Sequence, residues 1–489
     1  MIHNRDELLD KLRALLGPKG FSTDPDMLAP HLADWRDHYH GKAAALLSPA
    51  TPVEVAAIVG LCAEAGAPLV PQGGNTSMVG GATPDASGTA LIVSTRRLNR
   101  IRSLDAAAGI AVCEAGVILE NLHEAALAVS RRFPLTLGAR GSATIGGLVS
   151  TNAGGTQVLR FGPMRSLVLG LEAVLPDGSL FDGLTALKKD NRGYDLRQLL
   201  IGAEGTLGIV TAASLKLVPA IGARAVAWVG VDEAQQAMAL LHHLEAVMGE
   251  SIESFELVPK CALDLVLEHI PGTRPPLATS AAWNVLIEAV APVSAPGPEP
   301  LLYEGLRSAL ETGIAGDAVI AASEAQAEAF WRLRDAISEA EKKDGPATKH
   351  DISVAVPAMA GFMTETAAAV EARFPGTRVL AFGHLGDGNV HFNVRAPVGA
   401  TEAWVDGEGA AVSGFVYDRV TEAGGSISAE HGIGQMKVTE LARLSDPARL
   451  HALRAIKQAL DPKHIMNPGK LVPAAEPSQE SLAQQDFHQ

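Results

Sequence analysis

The chain has 489 residues, which predicts two or three domains. Lys and Arg total 40 against 55 Asp and Glu, a net charge of −15. That balance excludes a dedicated nucleic-acid binder and docking on an anionic membrane, but leaves room for a local cationic pocket.

Residues 1–44 read as a helix with leucines at 8, 9, 12, 15 and 16, followed by an irregular arm. Acidic residues in that helix are unlike a targeting segment. The thiols Cys62, Cys113 and Cys261 form no CxxC, so no disulfide framework or thiolate metal site is expected. Together these features predict a cytoplasmic protein. Gly141 to Leu159, the longest charge-free stretch, is rich in Gly, Ser, Thr and Asn, so no membrane span is predicted.

Residues 45–219 form the first predicted domain. Thr51-Pro52-Val53-Glu54 opens a helix with a cap and a first-turn proline. Strands follow at Pro68–Pro71, Ala90–Ser94 and Ile110–Glu114, then a helix at Ile118–Ser130 and an irregular segment over 134–166. Pro176-Asp177-Gly178 marks a hairpin. Residues 220–473 alternate helices with single strands. They include a charged, exposed-looking helix over Phe330–Lys343 and a hairpin around Asp387-Gly388-Asn389. Residues 474–489 lack periodicity and read as a disordered tail.

Three glycine-rich loops punctuate the first domain: PQGGNTSMVGGA (71–82), GARGSATIGGLVSTNAGG (138–155) and IGAEGTLGIVT (201–211). Consecutive glycines after a strand let backbone N–H groups converge on an anion. No Walker A loop and no GxGxxG fingerprint is present. Three polar loops in one domain predict a long, dinucleotide-like cofactor threaded between them.

A second pattern lies near the C-terminus. GHLGDGNVHFN (383–393) places His384 and His391 on either side of a turn, with Asn393 on the same strand face as His391. SAEHGIG (428–434) adds Glu430 and His431. Imidazoles with one carboxylate suit a divalent metal with open positions.

In this order, PQGGNT, GSATIGG with NAGG, and GAEGTLGIVT resemble the FAD-binding domain of the vanillyl alcohol oxidase family. The second half resembles that family's FAD-linked oxidase C-terminal domain, and the likeness spans residues 45–472. The resemblance implies an α+β protein. Its parts would be a two-part FAD-binding domain of the vanillyl alcohol oxidase type and a C-terminal α+β substrate domain with an antiparallel sheet. It implies that Pro71 and Gly73, Gly74, Asn75, Thr76 and Ser77 hold the FAD pyrophosphate. Gly141, Ser142, Thr144, Gly146, Gly147, Asn152, Gly154 and Gly155 would line the path of the ring and phosphates. Glu204, Gly205, Gly208 and Ile209 would lie near the adenosine, and Asn467 near the ring. The first loop has Asn75 and no His or Cys, so the FAD is expected to be non-covalent.

The resemblance also assigns His384, His391 and Glu430 as metal ligands and His431 as the general base. Zinc is the expected metal, with manganese or iron as alternatives. Such a metal would hold a 2-hydroxy acid by its hydroxyl and carboxylate, and hydride would pass to flavin N5. Arg334, Ser338 and Lys349 fit the pattern LRxxI[S/T]…KxDxS, similar to the D-2-hydroxyglutarate dehydrogenase branch. There the three would clamp a remote carboxylate, with His384, Asn393 and His431 also touching substrate. The implied reaction is oxidation of a D-2-hydroxy acid, foremost D-2-hydroxyglutarate. D-lactate or a broader range is the alternative, and a metal-dependent hydrolase or a flavin-binding electron carrier the distant ones. Expected partners are the acid, an electron acceptor such as an electron-transfer flavoprotein or a quinone, and a second copy in a homodimer.

Overall fold

The computed structural model describes residues 2–187 and 189–474, so the tail expected over 474–489 lies, from 475 on, outside the described residues. The first half holds two sheets. Strands β1 (Phe21–Ser22), β2 (Ala45–Leu47), β3 (Leu69–Gln72) and β4 (Leu91–Ser94) form a sheet in the order β1-β2-β4-β3. β2, β4 and the edge strand β3 are parallel, and β1 pairs antiparallel with β2. The helix Pro52–Ala65 packs on this sheet through Val55, Ile58, Val59 and Cys62. Thr51 caps it by accepting the Glu54 N–H, and Gly66 ends it at a φ of 67°.

Strands β5 (Ile101–Asp105), β6 (Ile110–Glu114), β8 (Val168–Val174), β9 (Leu180–Gly183) and β10 (Ile209–Lys216) form an antiparallel sheet in the order β5-β6-β10-β8-β9. Two short strands, β7 (Arg131–Arg132) and β11 (Val218–Pro219), pair beside it. The predicted Pro-Asp-Gly hairpin is β8–β9, with Gly178 at a φ of 86°. The stretch over 134–166 is less irregular than its composition suggests. It holds three short helices, Ile145–Thr151, Val158–Phe161 and Met164–Leu167, pinned where Ile145, Leu148, Val149, Met164 and Leu167 reach the core.

The second half is built on one seven-stranded antiparallel sheet. Its strands are β12 (Ile221–Val231), β13 (Ile252–Pro259), β14 (Trp283–Pro292), β15 (Asp317–Ile320), β16 (Ala347–Ser353), β17 (Arg378–His384) and β18 (Asn389–Arg395). The spatial order is β15-β12-β14-β13-β17-β18-β16. Alternation sends Ile352, Ala381, Val390, Phe392 and Val394 into one large core. The opposite face carries Trp228, Val258, Leu286, Leu380 and Phe382 against the helices Lys260–His269, Glu324–Asp335 and Ile337–Asp344. The helix predicted over Phe330–Lys343 is thus two helices meeting at Ala336. It is not a solvated face, because Ile337, Ala340 and Glu341 are buried against the sheet.

The C-terminal segment returns to the first half. Met466 bridges Leu69 in β3, and the Asn467 N–H donates to the Leu69 carbonyl at 2.8 Å. The buried Lys457 ammonium donates to the carbonyls of Thr206 and Met466 and to Asp461. Asn467, 2% exposed, donates through Nδ2 to the Gly81 carbonyl at 2.9 Å and the Glu204 carbonyl at 2.7 Å. One amide therefore joins the first and third glycine loops. Asn467→Asp keeps the shape and the tolerance for its φ of 42°, but sets an acceptor against two carbonyls. Denaturation curves are expected to show a loss of at least ~2 kcal/mol; an unchanged midpoint would refute the clasp.

Candidate active site

The three glycine loops enclose one cavity of about 630 Å³. Pro71, Gly73, Gly74, Asn75, Thr76, Ser77, Gly141, Ser142, Thr144, Gly146, Gly147, Gly154, Glu204, Gly205, Gly208 and Ile209 all line it. Among the described residues, the backbone N–H groups of Gly73 to Ser77 have no protein acceptor. Five successive free donors on a cavity wall make an anion-binding nest. A Cβ at Gly74 would stand 2.0 Å from the Ser142 carbonyl oxygen, and one at Gly73 2.2 Å from Thr144 Oγ1. The first two loops are in contact because these positions carry no side chain.

Three expected cofactor residues do not line the cavity. Asn152 ends the helix Ile145–Thr151 at a φ of 50°, and its side-chain oxygen accepts the Arg165 N–H. Gly155 permits a close pass, since a Cβ there would lie 2.2 Å from the Thr136 carbonyl. Asn467 is the clasp behind the wall. Two lining residues also have structural ties. Asn75 Nδ2 donates to the Ala33 carbonyl at 3.0 Å. The buried Glu204 carboxylate accepts the Ile433 and Gly434 N–H groups, both at 2.7 Å, and so stitches the third loop to the SAEHGIG segment.

That segment brings Glu430 and His431 to the cavity wall. The absent side chain of Gly154 makes room, because a Cβ there would approach Glu430 Oε1 to 3.0 Å. Behind them, ligand atoms of His384, His391 and Glu430 all lie within 4.8 Å of one another. The two imidazoles stand nearly perpendicular, their centroids 5.4 Å apart. Sheet register produces this convergence. His384 pairs with Glu256 across β17 and β13, Phe382 with His391 across β17 and β18, and Asp351 with His391 across β16 and β18. All of these side chains share the face beneath the helices Glu324–Asp335 and Ile337–Asp344.

Two buried carboxylates that the sequence motifs did not single out organise the group. Asp351, 3% exposed, accepts the N–H groups of Glu430 and His431 through Oδ2, both at 2.8 Å, and Asn389 Nδ2 through Oδ1 at 2.8 Å. Glu256, 1% exposed, accepts His384 Nδ1 at 2.6 Å and Arg334 Nε at 2.7 Å. Burial opposes its charge, but His384 and Arg334 outweigh burial and hold the carboxyl down to about 2. Burial likewise opposes charge on His384, and Glu256 raises that imidazole to about 9. His391 is pushed down to about 3 by burial and by the charge of His384. Burial lowers His431, against the pull of Asp351, and so favours a neutral imidazole. The KxDxS motif contains Asp351, but its role depends on contacts 79 and 80 residues away.

The expected clamp residues fall in three places. Arg334 stacks over the Phe382 ring at 5.1 Å, and its Nη2 is buried with no partner. Lys349 Nζ lies 2.9 Å from Glu341 Oε2, which also accepts Asn393 Nδ2 at 2.9 Å. Glu341 is fully buried, and its Oε1 has no partner. Ser338 is exposed, on the outer side of its helix, and does not join either group.

Comparison with known proteins places this architecture. The FAD-linked oxidase C-terminal domain matches residues 222–471, and an FAD-binding domain matches residues 43–183. A mitochondrial D-2-hydroxyglutarate dehydrogenase of Arabidopsis thaliana is 38% identical over 462 residues, covering 94% of this chain and 80% of the relative. The chain belongs to the FAD-linked oxidase family. A Schizosaccharomyces pombe protein, named as a mitochondrial D-lactate dehydrogenase, is 33% identical over 460 residues, covering 92% of this chain and 86% of its own. Among solved structures, p-cresol methylhydroxylase superposes with a TM-score of 0.73 at 16% identity, covering 96% of this chain and 97% of its own, and so shares the vanillyl alcohol oxidase type of fold.

The protein is therefore an FAD-dependent oxidoreductase, which sets aside the hydrolase and electron-carrier readings. The cytoplasmic expectation is corrected, because both relatives carry mitochondrial names. Scattered thiols report a reducing compartment but do not say which one. No helix among the described residues is long and apolar enough to cross a membrane. The nest of free N–H groups and the unpartnered Thr144 Oγ1 fit a diphosphate-bearing cofactor, and the His384–His391–Glu430 trio fits a divalent metal. Gly74→Ala should force the first two loops apart. The purified variant is expected to show far less flavin absorbance per protein than the parent, and full flavin content would contradict the steric argument.

Proposed function

We propose that the chain oxidises a D-2-hydroxy acid to the 2-oxo acid, with D-2-hydroxyglutarate as the preferred substrate. The observation that carries this reading is that one carboxylate, Glu256, bonds both His384 and Arg334. The metal trio and a guanidinium with a spare buried donor thus lie side by side. Such a site suits a molecule with a 2-hydroxy acid at one end and a second carboxylate at the other. The name of the Arabidopsis relative agrees with it.

The loop cavity would hold FAD non-covalently as the hydride acceptor, and His384, His391 and Glu430 would hold a divalent metal, zinc on this reading, as a Lewis acid for the substrate hydroxyl. The remaining work belongs to side chains. His431, kept neutral by burial, takes the hydroxyl proton. The Asp351 carboxylate fixes the backbone that carries it. Arg334 Nη2 and the free donors of Lys349 hold the remote carboxylate, and Asn393, anchored on Glu341, stands beside them. Ser338 has no part in this reading. On this reading an electron-transfer flavoprotein or a quinone would reoxidise the flavin, and the enzyme would work as a homodimer.

Anaerobic bleaching of the flavin tests the substrate. D-2-hydroxyglutarate is expected to reduce it faster than D-lactate or D-malate, and Lys349→Ala to raise KM for the dicarboxylate while sparing D-lactate. Equal turnover of all three acids, or equal damage to both substrates, would favour the broad-range reading suggested by the Schizosaccharomyces pombe relative. His431→Ala is expected to slow bleaching by ~10²–10⁴-fold while FAD and metal stay bound; fast bleaching would reassign the base.

A further inference from the structure

We infer that Glu256 is a positioning residue that sets the working state of two neighbours at once: the tautomer of His384 and the aim of Arg334. This rests on the proposed metal and substrate reading and adds to it a residue from the middle of β13 that no motif marks.

The chemistry follows from what a carboxylate can do. Ionised Glu256 only accepts hydrogen bonds. At 2.6 Å from His384 Nδ1 it requires that nitrogen to carry the proton. The Nε2 lone pair is then the one offered to a metal, and the carboxylate raises the basicity of the ring. The other oxygen, 2.7 Å from Arg334 Nε, holds the guanidinium by its inner nitrogen. Its outer nitrogens stay uncommitted, and Nη2 is buried without a partner. Phe382, stacked under the guanidinium, keeps the plane of the fork fixed. Backbone geometry makes the arrangement rigid, since Glu256 and His384 are directly paired residues of adjacent strands. The carboxylate cannot swing to water, because Glu256 is 1% exposed.

Glu256→Gln is nearly isosteric but brings a donor. If its oxygen keeps Arg334, its NH₂ faces Nδ1. His384 must then accept at Nδ1 and protonate Nε2, the wrong tautomer for a ligand. If the amide flips, Arg334 loses its acceptor instead. Either way one arm fails.

The test is zinc titration by calorimetry of the FAD-bound protein after chelator treatment, with zinc ion alone as the probe. Glu256→Gln is expected to weaken zinc binding by about 10–100-fold with flavin content unchanged. Glu256→Asp, which keeps two acceptor oxygens, is expected to bind zinc more tightly than Glu256→Gln. If zinc affinity is retained because the amide has flipped, Glu256→Gln should instead lower kcat/KM for D-2-hydroxyglutarate more than for D-lactate at saturating zinc, because only the dicarboxylate uses Arg334. Zinc affinity within threefold of the parent, with both acids equally affected and only the melting temperature lowered, would reduce Glu256 to a packing residue. Should Glu256→Gln not fold, nitrogen-15 NMR of the zinc-free parent showing no proton on His384 Nδ1 would overturn the inference. A parent protein that binds no zinc would overturn the metal reading itself, and this inference with it.

Discussion

Burying a carboxylate is costly unless opposite charges and hydrogen-bond donors surround it. Three such carboxylates gather at one face of one sheet, Glu256 and Asp351 on its strands and Glu341 on a helix packed against it. Each recruits partners from several chain segments. Glu256 takes His384 and Arg334, Glu341 takes Lys349 and Asn393, and Asp351 takes Asn389 and the backbone of Glu430 and His431. Almost every group proposed to act on the substrate is held by one of these three carboxylates. The same pairing that makes their burial tolerable also fixes the positions of the reactive groups. Rotamer freedom that long side chains such as Arg334 and Lys349 would otherwise lose on binding is lost already in folding.

The second constraint is the seam between the halves. The loop cavity belongs mostly to the first half and the His384–His391–Glu430 trio to the second, and on the proposed reading both must lie within reach of one substrate carbon. Three kinds of contact hold the seam. Glu204 accepts two N–H groups of the SAEHGIG segment, and Gly154 lets Glu430 lie against the cavity wall. Farther back, Arg132 and Arg160 converge on the buried Glu253, while Ser254 donates to the Thr156 carbonyl. Charge pairing at the back and close glycine contacts at the front leave the halves no room to slide.

Local signals in the chain carried much of this. Glycine loops, the Pro-Asp-Gly and Asp-Gly-Asn turns and the capped helix at Pro52 depend on neighbours in sequence, and the structure has them. His384, His391 and Glu430 were also visible, in the segments GHLGDGNVHFN and SAEHGIG. Glu256 was not, because its partners lie 128 and 78 residues away and only strand register joins them. Within IESFELVP it is one of two glutamates, and nothing local separates it from Glu253, which serves the seam. The family resemblance put Asn467 near the ring, and its side-chain amide in fact reaches two carbonyls 386 and 263 residues away, which makes it a clasp. The helix over 330–343 looked exposed because Arg334 and Glu341 were counted with its solvated charges, whereas each pairs with a strand residue, Glu256 and Lys349.

On the proposed reading, this pairing also bears on how an acidic protein would take an acidic substrate. A net charge of −15 opposes the approach of a dicarboxylate, and the two clamp cations do not form a bare positive patch. Arg334 faces Glu256 and Lys349 faces Glu341, so each is already close to neutral as a pair. What they offer is directional donors left over after pairing: an unpartnered Nη2 on Arg334, and the remaining hydrogens of the Lys349 ammonium. On the proposed reading, net positive charge at the site falls to the metal, which holds the end of the acid where reaction occurs. The clamp then acts by geometry, rewarding a second carboxylate at one distance and giving little to a chain that is too short. Discrimination among 2-hydroxy acids would follow from the placement of two buried glutamates, not from the sum of charges around them.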